Sequence, residues 1–151
     1  MTTAGFSRNL PDDIRKMING DIEMPPVAQL IGFTLTSMQP GQAVIELEAA
    51  ERHANPMGSL HGGILCDIAD AAMGIAYASL LQEDETFTTL ELKINFLKPV
   101  WKAKLQAEGR VVSSGKTIGL VECDIIDDKQ RLVARASITC MTLSGKRARG
   151  R

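Results

Sequence analysis

The sequence predicts one α+β domain in which an antiparallel sheet curls around a single long, buried helix. Residues 64–81 carry apolar side chains nearly all the way round a helix, which indicates burial on most sides. Strand-like segments lie before and after this helix, and the last four follow one another along the chain. The outer face and the edges of such a sheet need cover, so we also expect a dimer.

Three segments divide the chain. Residues 1–24 form a polar lead in which residues 11–18 have the spacing of a short amphipathic helix. Residues 25–143 form the domain, and the basic tail at 144–151 is expected to be disordered.

Within the domain, a brief helical turn starts at the two prolines 25 and 26 and ends at Gly32. Strand signals occupy residues 33–38, 43–49, 89–97, 103–112, 117–126 and 132–143. We expect about five strands in the sheet. In the segment 89–97, strict alternation predicts that Leu90, Leu92, Ile94 and Phe96 share one face.

Composition excludes several classes of protein. The net charge of −1 and an aromatic content of 4% argue against nucleic acid and against an anionic membrane surface as partners. Three cysteines without a Cys-x-x-Cys pair, together with two histidines, make a disulfide framework or a metal site unexpected. No secretion signal and no apolar stretch of membrane-spanning length stand in the sequence, so a cytoplasmic location is expected.

The segment whose residues are most suited to catalysis runs from Asn55 to Gly63 and leads into the long helix. Gly62 and Gly63 at the helix N-terminus let another molecule approach the free N–H groups, which suit a developing oxyanion. Asn55 in the preceding loop offers a side-chain amide. Asp70 lies in the middle of an otherwise apolar helix, where an unpartnered carboxylate is costly and therefore points to a function.

This arrangement resembles a known family. The pattern Asn-x-x-Gly-x-x-His-Gly-Gly at residues 55–63, with Asp70 nine residues after His61, is similar to that of hotdog-fold thioesterases of the phenylacetate-degradation (PaaI-like) group. The resemblance extends over residues 25–143. It implies a hotdog fold, a homodimer whose two sheets join, active sites at the dimer interface, and a dimer of dimers, which is common in the group.

The resemblance also implies catalytic roles. The Gly62 amide would polarise the thioester carbonyl, and Asn55 would position the carbonyl or the attacking water. Asp70 of the opposite subunit would act as nucleophile or general base, and Thr89 would help to hold the water.

Four further residues are expected to support substrate binding. His61 would order the loop rather than act as a base, and Gly63 follows it at the helix start. Gly115 and Lys116, in the turn of a hairpin, would meet the phosphates of coenzyme A.

Asp67 departs from the usual pattern of the group. Three residues before Asp70, it shares a helix face with that acid. If both acids point into the site, their repulsion raises one pKa and favours base catalysis. Alternatively Asp67 caps or pairs elsewhere, which is the interpretation we favour at this point.

The function implied is hydrolysis of an acyl-CoA, with an aryl or medium-chain acyl group, to the free acid and coenzyme A. A thiolate with a thiol pKa of about 8.5 leaves readily, so no metal or organic cofactor is required. One alternative is an acyl-thioester hydratase or dehydratase, although no second histidine stands near Asp70 in the sequence. The other is a module that binds acyl-CoA without turning it over.

Overall fold

The computed structural model describes residues 9–149, and these form three α-helices and one sheet of six antiparallel strands. The helices are α1 (Leu10–Asn19), α2 (Pro26–Ile31) and α3 (Gly62–Ala78). The strands are β1 (Phe33–Gln39), β2 (Gln42–Ala49), β3 (Glu85–Phe96), β4 (Ala103–Ser114), β5 (Ile118–Asp127) and β6 (Leu132–Ser144). The predictions for residues 1–8 and 150–151 lie outside this range.

The strand order across the sheet is β1-β2-β4-β5-β6-β3. β3 follows α3 in the chain but pairs with the last strand, β6, so it lies at an edge of the sheet. Its 12 residues leave one row of backbone groups without a partner strand in residues 9–149. A long edge of this kind is a surface that proteins usually pair or cover.

Helix α3 packs on one face of the sheet at a very short distance. A Cβ atom added to Gly109 of β4 would lie 2.5 Å from the carbonyl oxygen of Ala72, so only glycine allows this approach. Gly119 of β5 likewise leaves room for the buried ring of Tyr77, whose hydroxyl lies 2.8 Å from Oγ1 of Thr142. These contacts fix the height and the rotation of α3, and with them the direction of its side chains.

The buried helix predicted from the sequence is confirmed, with two differences. It begins at Gly62 and ends at Ala78, whereas residues 64–81 were expected. Its cover is also incomplete, because the side chains of Asp67 and Asp70 are exposed in the single chain. Asp70 therefore lies on the open side of α3 and not within the core between helix and sheet.

The prediction for the strand at 89–97 is wrong at Leu90. β3 begins four residues earlier, at Glu85, and its pairing with β6 shifts between Thr89 and Glu91. Leu90 is the extra residue of this bulge, and an extra residue inverts the alternation that follows. Leu90 is accordingly 54% exposed, while Leu92 and Ile94 pack against the core.

The chain end differs from expectation as well. β6 continues to Ser144, which pairs with Glu85, and one turn of 3-10 helix follows at Gly145–Arg147. The sequence predicted disorder from residue 144 onwards. The sheet also has one strand more than the five or so expected.

Candidate active site

The N-terminus of α3 leaves one amide available. His61 is the N-cap of the helix, and its Nδ1 accepts a hydrogen bond of 2.8 Å from the amide of Gly63. The amide of Ile64 donates to the carbonyl oxygen of His61. The Gly62 N–H makes no hydrogen bond within residues 9–149, so it is the free donor at the positive end of the helix dipole.

His61 thus orders the helix start, as the sequence suggested. Because its Nδ1 accepts a hydrogen bond from the amide of Gly63, that nitrogen is occupied and does not serve as a base. Its own amide donates to the carbonyl oxygen of His53, a buried residue whose ring Nε2 lies 2.7 Å from the carbonyl oxygen of Ile31. The loop is therefore tied to α2.

A groove of about 410 Å³ opens beside Gly62. Its lining comes from the loop before α3 and from the end of β3 and the turn after it, and includes Asn55, Ser59, Phe96 and Pro99. The ring of Phe96 lies over Gly62, since a Cβ atom there would be 2.9 Å from Cζ. The sequence did not point to Phe96 as a neighbour of this amide.

The side chain of Asn55 holds the loop together. Its Oδ1 accepts from the amide of Met57 at 2.9 Å, and its Nδ2 donates to Oγ of Ser59 at 3.0 Å. A side-chain amide has two N–H groups, so one remains for a ligand in the groove. The structure gives Asn55 a structural role beside the catalytic role implied by the resemblance.

Asp70 and Thr89 form the second part of the site. Oγ1 of Thr89 donates to Oδ1 of Asp70 at 3.1 Å, which leaves Oδ2 for another partner. Desolvation raises the pKa of Asp70, and the hydrogen bond from Thr89 opposes that rise. The pair is a carboxylate more basic than usual, held in one orientation.

Asp67 makes no hydrogen bond or ion pair in the part of the chain that the structure describes. Its pKa is raised by desolvation and then by the negative charge of Asp70. The cap or salt bridge that we favoured for Asp67 is thus not found in this range, and the charge of His61 opposes the rise in the pKa of Asp67.

The two parts of the site are distant within one chain. Gly62 and Asp70 are eight residues apart on α3, a separation of about 12 Å along the helix axis. A single chain therefore does not place the amide and the carboxylate on opposite sides of one carbonyl carbon.

A second cavity, of about 270 Å³, adjoins Asp70 and lies between the three helices and β3. Its N-terminal wall consists of residues that the sequence did not mark as part of a site, among them Leu10, Ile14, Met17 and Met24. The available signal was the apolar spacing of α1 at positions 10, 14, 17 and 18. That spacing indicates a buried face but not what the face covers.

The hairpin residues Gly115 and Lys116 lie away from both cavities. The amide of Gly115 donates to the carbonyl oxygen of Ile118 and closes the turn between β4 and β5, and Lys116 is exposed. Their role toward coenzyme A stays a prediction.

Within residues 9–149 no group of three or more histidine, cysteine or acidic side chains has a metal-binding arrangement. Nor does any helix in this range combine the length and the apolarity needed to span a membrane.

Comparison with known proteins identifies the family. The sequence model of the family described as "thioesterase superfamily" matches residues 57–134, about half of the chain. The chain belongs to the thioesterase superfamily. This range includes Gly62, Asp70 and Thr89, whereas α1 and α2 lie outside it.

Individual relatives agree with this assignment. The chain is 30% identical over 111 residues to a 1,4-dihydroxy-2-naphthoyl-CoA hydrolase of Listeria monocytogenes, covering 74% of this chain and 90% of the relative. It is 25% identical over 124 residues to human acyl-coenzyme A thioesterase 13, covering 78% and 84%. The PaaI protein from the Escherichia coli phenylacetic acid degradation operon superposes with a TM-score of 0.78 at 26% identity, covering 90% and 97%. The hotdog fold and the family predicted from the sequence are confirmed.

Proposed function

We propose that this chain hydrolyses acyl-CoA thioesters to a free acid and coenzyme A, at a site completed by a second copy of the chain. Membership of the thioesterase superfamily supports the reaction class, and the names of the Listeria and human relatives support coenzyme A as the thiol. The proposal rests on the presence of two groups in one chain. These are the free amide of Gly62 at the start of α3 and the carboxylate of Asp70, which Thr89 orients.

The proposed dimer forms along the free edge of β3. Apolar side chains are exposed at and near this edge, including Leu90, Phe96 and Leu97. Strand pairing would satisfy the open backbone groups, and the apolar side chains would leave water. In such a dimer Gly62 of the partner subunit faces Asp70, which overcomes the separation of about 12 Å within one chain.

A dimer of dimers is part of the proposal. Val112, Ile118 and Leu120 are exposed on β4, β5 and the hairpin that joins them, and an exposed apolar patch commonly marks an interface. A second dimer would cover it.

The chemical step needs one base and one oxyanion donor. Asp70 takes a proton from a water molecule held beside Thr89, while the water oxygen forms a bond to the thioester carbonyl carbon. The carbonyl electron pair moves to oxygen, where the Gly62 amide stabilises the negative charge. When the carbonyl re-forms, the carbon–sulfur bond breaks and coenzyme A leaves as a thiolate. A thiolate is a good leaving group because it is a weak base.

One observation favours general base over nucleophile for Asp70. Desolvation raises the pKa of this carboxyl group, so the carboxylate binds a proton more readily. Rapid-quench kinetics tests this choice. A burst of coenzyme A that precedes acid release would indicate an acyl-enzyme on Asp70, and simultaneous release is the expected result.

The remaining parts of the proposal concern the rest of the substrate. An aryl or medium-chain acyl group lies toward Asp70, and Lys116 meets the phosphates of coenzyme A beside Gly115. No metal or organic cofactor takes part, and the site works in the cytoplasm.

A hydratase on the same fold receives less support. That reaction needs a histidine paired with the acid, and Nδ1 of His61 already accepts a hydrogen bond from the Gly63 amide as the cap of α3. No observation favours the second alternative, a pure binding module.

The experiment is thiol release from a panel of acyl-CoAs by the wild type and by Asp70→Asn. We expect turnover by the wild type and a loss of at least about 100-fold in the variant. Asp128→Asn, an exposed acid in the β5–β6 turn, is the matched control and should retain full activity. Activity retained by Asp70→Asn would contradict the mechanism, and a wild type that binds acyl-CoA without hydrolysis would be a binding module.

A further inference from the structure

We propose that the apolar cavity beside Asp70 is the acyl pocket, and that α1 and α2 restrict it to acyl groups without polar substituents. This inference rests on the proposed function and specifies its substrate. Neither the family match nor the names of the relatives assign this cavity.

The cavity is polar at one end and apolar further in. Along α3 its wall runs from Asp70 to Ala78, about 12 Å. Thr89 of β3 lies at the Asp70 end, where the thioester carbonyl would be held. Further in, Phe87 of β3 faces Gly74, since a Cβ atom on that glycine would lie 3.1 Å from Cζ. An acyl chain that starts at Asp70 therefore extends between α3 and β3.

The opposite wall comes from the N-terminal helices. Leu10, Ile14 and Met17 of α1, with Met24 before α2, close this side of the cavity. These residues lie outside the range matched by the superfamily, 57–134, so this wall belongs to a part of the chain that the family pattern does not specify. Methionine side chains are flexible and adapt to ligands of somewhat different shape.

The volume sets the size of the acyl group. A cavity of about 270 Å³ holds about nine groups of the size of a water molecule, which occupies about 30 Å³. A methylene group is of similar size. The pocket therefore suits an acyl chain of about eight to ten carbons or one small aromatic ring with its linker.

The residues that line the cavity determine which polar substituents the acyl group can carry. Among residues 9–149, all those that line the cavity are apolar except Asp70 and Thr89, which lie at the carbonyl end. A hydroxyl group on the far part of the substrate would lose its water and find no partner, which lowers kcat/KM by about 10- to 100-fold, or about 1.4–2.7 kcal/mol. The acyl specificity should thus differ from that named for the Listeria relative, a dihydroxynaphthoyl-CoA hydrolase.

The test measures kcat/KM for saturated acyl-CoAs from two to fourteen carbons, and for phenylacetyl-CoA against its 4-hydroxy analogue. We expect a rise of about fourfold per methylene, the factor that corresponds to burial of one such group, up to about nine carbons. Beyond that length kcat/KM should fall. The hydroxyl should lower kcat/KM by about 10-fold or more.

Two variants of one wall residue separate the pocket from the chemistry. Met17→Ala widens the wall that α1 contributes and should move the optimum to longer chains. Met17→Gln, similar in size but polar, should reduce discrimination against the 4-hydroxy analogue. Arg15→Ala, on the exposed side of α1, is the control and should behave as wild type.

The outcomes distinguish the two proposals. Hydrolysis with a flat chain-length profile, or with Met17 variants identical to Arg15→Ala, would overturn the pocket and leave the proposed function standing. If no acyl-CoA is hydrolysed, the proposed function fails, and calorimetry with the same series tests the pocket directly. Equal affinity for acetyl-CoA and octanoyl-CoA would then overturn it.

Discussion

The free amide of Gly62 can be removed with little other change, by Gly62→Pro. Gly62 is the first residue of α3, and a proline at this position loses no intrahelical hydrogen bond. The preceding residue, His61, has φ −64° and ψ 131°, which is the extended region that a following proline requires. The substitution therefore removes one N–H at the proposed oxyanion and keeps the helix.

The expected loss is about 100- to 1,000-fold in kcat, the usual effect of removing one oxyanion donor. Proline also adds a Cβ atom, which would lie 2.9 Å from Cζ of Phe96. That ring is about half exposed and can rotate away. Gly62→Ala adds the same Cβ atom but keeps the N–H, so it isolates the effect of the donor.

The assay is steady-state thiol release, with thermal unfolding of both variants as the check on folding. We expect Gly62→Ala within about tenfold of wild type and Gly62→Pro at least a further 100-fold below it. If both variants unfold like the wild type and have the same kcat, the Gly62 amide does not stabilise the oxyanion, and the site has been assigned wrongly.

Three further results are expected. Thr89→Val removes a hydrogen bond that lowers the pKa of Asp70, so the acid limb of the kcat/KM profile should move to higher pH, whereas Thr89→Ser should leave it in place. Asp70→Asn should raise Tm at pH 7, because the folded-state pKa lies above the unfolded value and the ionised acid costs stability at higher pH. This gain should vanish below the unfolded pKa, and a gain that persists there would show another cause. Gly109→Ala, which forces α3 off β4, should cost about 1–3 kcal/mol, a fall in Tm of about 2–4 °C per kcal/mol by thermal unfolding. The exposed neighbour Glu108→Ala should stay within about 0.5 kcal/mol of wild type, and equal effects of the two would refute the close contact.

Local signals in the sequence were sufficient for most of the fold. The apolar helix α3 and the alternating strands appear where their periodicities predicted them, because burial of a face requires that spacing. The bulge at Leu90 was not predictable, since an extra residue in one strand depends on the partner strand and leaves no sign in the alternation of residue types along the sequence. The place of β3 beside β6 likewise depends on tertiary pairing.

For the site, sequence indicated which residues matter but not how they are engaged. The glycine pair at 62 and 63 suggested two open amides, yet the Gly63 amide donates a hydrogen bond to His61 and, of the two, only Gly62 remains free within residues 9–149. Asp70 was expected on a helix buried on most sides, and it lies on the open side of α3 beside a cavity whose outer wall comes from α1. Contacts between segments distant in the chain decide both points.

The central claim is that each site takes its carboxylate from one subunit and its amide from the other. Asp70→Asn and Gly62→Pro, each inactive alone, should regain activity when one copy of each is combined in a heterodimer isolated with two different affinity tags. Such a heterodimer has one site with both groups intact and one with neither, so we expect about half of the wild-type kcat per dimer. A heterodimer as inactive as its parents would contradict the shared site, because two groups that act within one chain cannot be restored by mixing.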